Sequence, residues 1–145
     1  MTRFLYDTAV FAHAVGGEHP LRAPCQAIVR AAAAGALRGE ASADLPQELA
    51  HVRQRRTGDR AAASLAARHA ASLCVIHEVN ADDAALGLDL FEAHHRLDAR
   101  DALFAAVALR RNLGAILSPD RAFDDVPGLH RVDPANQADV DRLAV

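Results

Sequence analysis

The sequence predicts an α/β fold: three layers, α/β/α, around a mainly parallel sheet of four or five strands. Two observations predict it. Short apolar segments alternate with helical segments along the whole chain, the pattern of parallel strands joined by crossover helices. Residues 102–109 are apolar at every position, so a helix there must be covered on nearly all sides. The composition, 51% hydrophobic and 24% charged, is that of a globular chain. The 145 residues read as a single domain, with its core over about residues 3–134 and a polar, loose C-terminal tail.

Each element has a local reason. Residues 3–6 are an apolar run closed by Asp7, a buried first strand. Residues 8–15 have helical capacity and stop at Gly16 and Gly17. Leu21, Cys25, Ile28, Val29 and Ala32 then recur at helical spacing, with Arg22, Gln26 and Arg30 opposite. Pro24 is tolerated there because it lies in the first turn. Gly35 and Gly39 close that helix, and residues 38–43 predict a second strand. Asp44-Leu45-Pro46-Gln47 reads as a capped helix start. That helix carries Arg53, Arg55 and Arg56 before Gly58 breaks it. Asp59 caps a helix through about Ser72, and residues 73–76 predict a third strand. Asn80 caps a helix whose apolar stripe is Ala84, Leu88, Phe91 and His95. Residues 97–101 open the all-apolar helix, which ends by Gly114. A fourth strand at 115–117 leads into Ser118-Pro119-Asp120, and residues 129–132 predict a last strand.

Several function classes are excluded. All 16 basic residues are arginine, so no mechanism that needs a catalytic ammonium is available: no P-loop, no Schiff base, no kinase. Aromatic residues are 4% and tryptophan is absent, which argues against base-stacking platforms of the RRM or OB type. Cys25 and Cys74 form no CxxC pair and read as small buried groups. The eight histidines show no ligand spacing such as HExxH, although His51 lies one turn from Glu48. No GxSxG occurs, and Ala9 stands where an Asp-x-Asp phosphatase nucleophile would need its second acid. There is no secretory signal or membrane-length run, so a cytoplasmic protein is expected.

The 19 acidic residues carry the functional signal. Open α/β sheets bind ligands beyond the carboxyl ends of their strands. Asp7 ends the first strand, Glu48 lies one turn into the helix after the second, and Asp120 follows the fourth. Asp101 opens the buried helix, whose N-terminus faces the same edge. Asp98 is the cap of that helix. Each acid alone has an ordinary reading as a cap, a turn residue or a solvated helix acid. Four together cannot all stay ionised without a cation. Hard oxygen donors without cysteine suit Mg²⁺ or Mn²⁺. For the second position, Glu40 and Asp44 lie close in sequence to Glu48, which best fits the helix register.

These residues resemble a PIN domain, specifically a VapC-type toxin of a bacterial toxin–antitoxin pair, from Leu5 to about Pro134. Leu5-Tyr6-Asp7-Thr8 resembles the family's opening strand and first acid, and Gln47-Glu48-Leu49 its second acidic position. The run from Arg100-Asp101-Ala102 to Leu109 resembles the third motif. Ser118-Pro119-Asp120-Arg121-Ala122-Phe123-Asp124 resembles the fourth. Ala9 and Phe104 depart from common family choices and leave all four acids in place. The resemblance implies a metal-dependent endoribonuclease with Asp7, Glu48, Asp101 and Asp120 as metal ligands and catalytic acids. It places Thr8 and Ser118 as donors that orient the carboxylates, Asp124 as an outer acid and Arg121 as a possible RNA contact. It also implies a VapB-like antitoxin that brings an arginine to the pocket, an RNA substrate (tRNA, rRNA or mRNA), a homodimer, and inhibition of translation and growth. The alternative is a catalytically silent PIN-like module that binds RNA or protein.

Overall fold

The structure, a computed structural model, describes residues 2–145. Five parallel strands lie in the order β3-β2-β1-β4-β5. They are β1 (Phe4–Tyr6), β2 (Glu40–Ser42), β3 (Val75–His77), β4 (Ala115–Leu117) and β5 (His130–Val132). β1 is central: Leu5 pairs with Glu40 on one side and with Ile116 on the other. Successive strand residues point to opposite faces. All three residues of β1 and of β4 are buried, so helices cover both faces. The chain runs outward from β1 to β3, then crosses back to β4. The gap between β1 and β4 is therefore the switch point, where ligands collect at the strand ends.

The helices are α1 (Thr8–Val15), α2 (Arg22–Ala33), α3 (Leu45–Thr57), α4 (Arg60–Ser72), α5 (Ala81–Ala93), α6 (Ala99–Arg110) and α7 (Gln137–Asp141). Most are started by the residues the sequence marks. Asp59, Asn80 and Asp98 each accept a backbone N–H in the first turn of the helix they precede. Asp44 precedes α3 without capping it, because its carboxylate instead accepts the Ser42 hydroxyl. α3 and α4 form an antiparallel hairpin, α5 packs on α6, and α6 contacts β1 and β4. From Ala102 to Ala108 only Leu103 is not fully buried, as an all-apolar helix requires.

Two expectations need correction. The stripe on α5 is not its buried face: Leu88 and Phe91 are 64% and 46% exposed. The helix instead buries Asp83 and Gly87. A Cβ on Gly87 would sit 3.3 Å from the Leu103 Cα, so a side chain there would push α5 off α6. The absent side chain makes that face invisible to a hydrophobic pattern. The tail is not loose either. Val140 and Leu143 are buried in the core, and the Val145 N–H donates to the Ala36 carbonyl at 3.0 Å. Cys25 is buried and Cys74 half-buried, and burial pushes both thiols up to about 12.

Candidate active site

Asp7 is the first residue past β1 and the start of α1. Its backbone N–H donates to the Leu117 carbonyl at 3.1 Å, which ties the end of β1 to the end of β4. The side chain is 5% exposed. It accepts a hydrogen bond from the Ser118 hydroxyl at 2.5 Å and a weaker one from the Ala9 N–H at 3.4 Å. Ser118 Oγ in turn accepts the Asp120 N–H at 3.0 Å. The hydroxyl therefore links the first acid to the loop that carries the last. On the other side of Asp7, the Thr8 hydroxyl donates to Glu48 at 3.0 Å. Both predicted hydroxyl donors thus hold a carboxylate.

Asp101 lies in the first turn of α6. Its backbone N–H is taken by the Asp98 cap at 2.8 Å, leaving its side chain free to face the pocket. Asp120 opens a short 3-10 turn (Arg121–Asp125) and accepts the Ala122 N–H at 2.9 Å.

The charges of these acids act on one another. Burial pushes the Asp7 carboxyl up to about 6; the Ser118 and Ala9 hydrogen bonds oppose this, and the charges of Glu48 and Asp120 add to it. Asp101 is pushed well above the ordinary carboxylate range, first by burial, then by the charges of Asp7 and Asp98 and by the facing Asp120 carboxylate. Glu48 is raised by burial, against the Thr8 hydrogen bond and the nearby Arg100 guanidinium. None of Asp7, Glu48, Asp101 and Asp120 has an arginine or histidine within ion-pair distance among the described residues. Nor do any three His, Cys, Asp or Glu side chains already close on one point as a finished cage. The cluster is a set of hard oxygen donors held near one another against their own repulsion. That donor chemistry fits a divalent cation, which would draw the carboxylates in rather than enter a preformed shell.

The other sequence candidates fall into place around it. Glu40 is engaged elsewhere: Arg3 binds it at 2.9 and 2.7 Å and His77 Nε2 approaches at 2.7 Å. Burial works against its charge, but these partners outweigh burial and hold its carboxyl below the usual range. Asp44 lies in a cleft with Glu48, Gln47, His51 and Arg100, and its charge is among those that raise Glu48. Asp124 is exposed and paired with Arg131 at 2.9 Å; Arg131 also donates to the Ser118 carbonyl at 3.1 Å. Asp124 thus reaches the site only through Arg131. Arg121 is exposed and has no carboxylate partner among the described residues. Sequence reasoning gave Arg100 no role of its own beyond its place in the third motif. The structure places it in the Glu48 cleft.

A second buried acid behaves in the opposite way. Asp83 is fully buried. It accepts from Arg110 at 2.8 Å, from Arg111 at 2.7 and 2.8 Å, and from the Asn80 N–H at 2.9 Å. Hydrogen bonds from Arg111, opposed by burial and joined by those of Asn80 and Arg110, hold its carboxyl far below the ordinary range. The Asn80-x-x-Asp83 spacing and the Arg110-Arg111 pair were the available signals.

Comparison with known proteins agrees with this geometry. The profile of the PIN domain matches residues 4–129. Ribonuclease VapC7 of Mycobacterium tuberculosis is 38% identical over 130 residues, covering 88% of this chain and 89% of that one. Ribonuclease VapC13 of the same organism is 28% identical over 131 residues, covering 88% of this chain and 98% of that one. Among solved structures, a toxin–antitoxin complex from Klebsiella pneumoniae superposes with a TM-score of 0.65 at 20% identity, covering 90% of this chain and 96% of that one. VapC20 of Mycobacterium tuberculosis, described as a sarcin–ricin loop cleaving toxin, gives 0.63 at 19% identity, covering 78% and 86%. The fold, the four-acid edge and these relatives together establish that the chain belongs to the PIN domain family, among its VapC ribonucleases.

Proposed function

We propose that the chain is a divalent-metal-dependent endoribonuclease and the toxin of a VapBC-type pair, with Asp7, Glu48, Asp101 and Asp120 as its metal ligands. One observation carries the reading: a buried carboxylate, Asp7, with Glu48, Asp101 and Asp120 around it at the β1–β4 switch point and no cationic partner among the described residues. Such a cluster destabilises the chain unless a cation completes it. A Mg²⁺ or Mn²⁺ ion held there by Asp7, Glu48, Asp101 and Asp120 would supply Lewis acidity toward a phosphodiester and neutralise the pocket. The protein does the rest. Ser118 and Thr8 fix the carboxylates of Asp7 and Glu48 by donating to them. Burial of Asp7 keeps bulk water from competing for its oxygens. Because the pocket repels a polyanion, the bond to be cut would enter it only with the charge neutralised, while arginines such as Arg121 hold phosphates outside it.

The reading includes a VapB-like antitoxin whose arginine fork would pair with the free carboxylates. It includes a second copy of the chain, for which Leu88 and Phe91 on α5 offer an exposed apolar strip. A cytoplasmic location goes with it; among the described residues no helix is long and apolar enough to cross a membrane. The test is incubation of the purified protein with bacterial total RNA. Cleavage in Mg²⁺ or Mn²⁺, none in EDTA, and none by Asp7→Asn is the expected outcome. Intact RNA under every condition would favour the silent binding module instead.

A further inference from the structure

Beside the acid pocket, the α3–α4 hairpin carries a shallow trough that the acidic site does not explain. Two hollows of about 390 and 460 Å³ lie along the seam, and both include Ala50 and Ser64. A third, of about 320 Å³, holds Glu48 and Arg100 and shares His51 with the first and Gln47 with the second. The trough is therefore continuous with the edge of the catalytic pocket. Neither seam hollow has a carboxylate in its lining. Their polar side chains are Gln47, His51, Gln54 and Ser64, with Arg60 at one end and Arg68 at the other. Alanines form the floor, so a chain could lie close to the helices. Arg60 and Arg68 stand about 12 Å apart along α4.

Arg3, Arg96, Arg110, Arg111, Arg131 and Arg142 all pair with carboxylates. The hairpin carries five of the ten arginines that pair with no carboxylate among the described residues: Arg53, Arg55, Arg56, Arg60 and Arg68. In a chain of net charge -3, unpaired cations in an acid-free trough are complementary to a polyanion.

We propose that the α3–α4 trough is the binding path for the single-stranded RNA flanking the cleaved bond. Arg60 and Arg68 hold phosphates at its two ends, and Gln47, His51 and Gln54 face the nucleotides between. This rests on the ribonuclease reading for its substrate. Its test uses binding, which separates the two. Fluorescence anisotropy in EDTA, with a labelled unstructured RNA of about 20 nucleotides, compares the wild-type chain with R60Q/R68Q across a salt series. Both arginines are exposed, so the fold tolerates the change. R30Q/R38Q removes the same charge from exposed positions off the trough.

The expected result is a Kd about tenfold weaker for R60Q/R68Q, with a salt slope lower by about 1.4, the loss of two single-strand phosphate contacts. R30Q/R38Q stays within about twofold of wild type. Equal losses in the two variants, an unchanged slope in R60Q/R68Q, or no RNA binding by the wild-type chain would overturn the proposal. So would a loss of antitoxin binding in R60Q/R68Q with RNA binding intact, which would assign the trough to a protein partner. If the wild-type chain binds RNA through these arginines yet cuts none in Mg²⁺, the trough stands and the ribonuclease reading falls.

Discussion

Helix α6 has an acidic site at each end, and the two differ above all in what partners the acid. At its C-terminal end Arg110 and Arg111 neutralise Asp83, whose carboxyl is held far below the ordinary range. At its N-terminal end Asp101 meets Asp7 and Asp120 with no cation, and its carboxyl is driven up. Burial acts against charge in both places; the partner decides the sign. The Asp83 site is complete within the chain and fastens α5 to α6. The Asp101 site is incomplete within the chain, and its missing component must come from outside. The helix dipole favours an acid at a first turn, and at Asp101 burial and the charges of Asp7, Asp98 and Asp120 act against it.

The largest effect that would break this comparison is on catalysis. Asp7→Asn or Asp101→Asn should cut metal-dependent RNA cleavage by roughly 100-fold or more while leaving the chain folded. Single-turnover cleavage and circular dichroism on the same preparations check both halves. Asp83→Ala should do the reverse. It leaves two guanidinium groups beside an apolar cavity and should cost about 3 kcal/mol in urea denaturation, the low end for a broken buried pair because Arg110 and Arg111 are partly exposed. Full stability in Asp83→Ala would remove its structural role.

Much of this was legible in the sequence, for definite reasons. β4 and α1 match their predicted spans because an apolar run and a flanking breaker or cap fix both ends. The four acids were visible because each follows a strand or opens a helix at one edge. The buried face of α5 was not, because it is made of an acid and a glycine. Asp83 looks solvated until Arg110 and Arg111 are brought to it from another helix. The engagement of Glu40 was hidden for a similar reason: Arg3 and His77 come from the two ends of neighbouring strands. The tail misled because Val140 and Leu143 are isolated among polar residues.

The two ends of α6 also predict opposite pH slopes. Asp7 goes from an ordinary 3.8 to about 6 on folding, so the folded chain holds its proton more tightly than the unfolded chain. Its contribution is present below about 3.8 and lost as pH rises through about 6, up to about 3 kcal/mol. Asp83 is depressed, so its contribution is present above about 3.8 and lost as pH falls through its low folded value. In metal-free buffer, stability should fall from pH 5 to pH 7.5, and Asp7→Asn should flatten that fall. A wild-type curve that rises over this window would contradict the assignment.

Metal should close the gap between the two sites. Saturating Mg²⁺ at pH 7.5 should stabilise the wild-type chain by about 2–3 kcal/mol at a hundredfold excess over Kd, and Asp101→Asn should lose most of that gain. The smallest effect concerns the cap. Asp98→Ala removes the acceptor for the Asp101 N–H and should cost about 1 kcal/mol, measured by thermal unfolding.

The central claim is that the N-terminal end of α6 is a cation site completed from outside. Calorimetric titration of Mn²⁺ into the metal-free chain at pH 7.5 tests it most directly. The account predicts saturable binding by the wild-type chain, with proton release as Asp101 ionises, and its loss in Asp7→Asn but not in Arg121→Gln. No binding by the wild-type chain, or undiminished binding by Asp7→Asn, would contradict it.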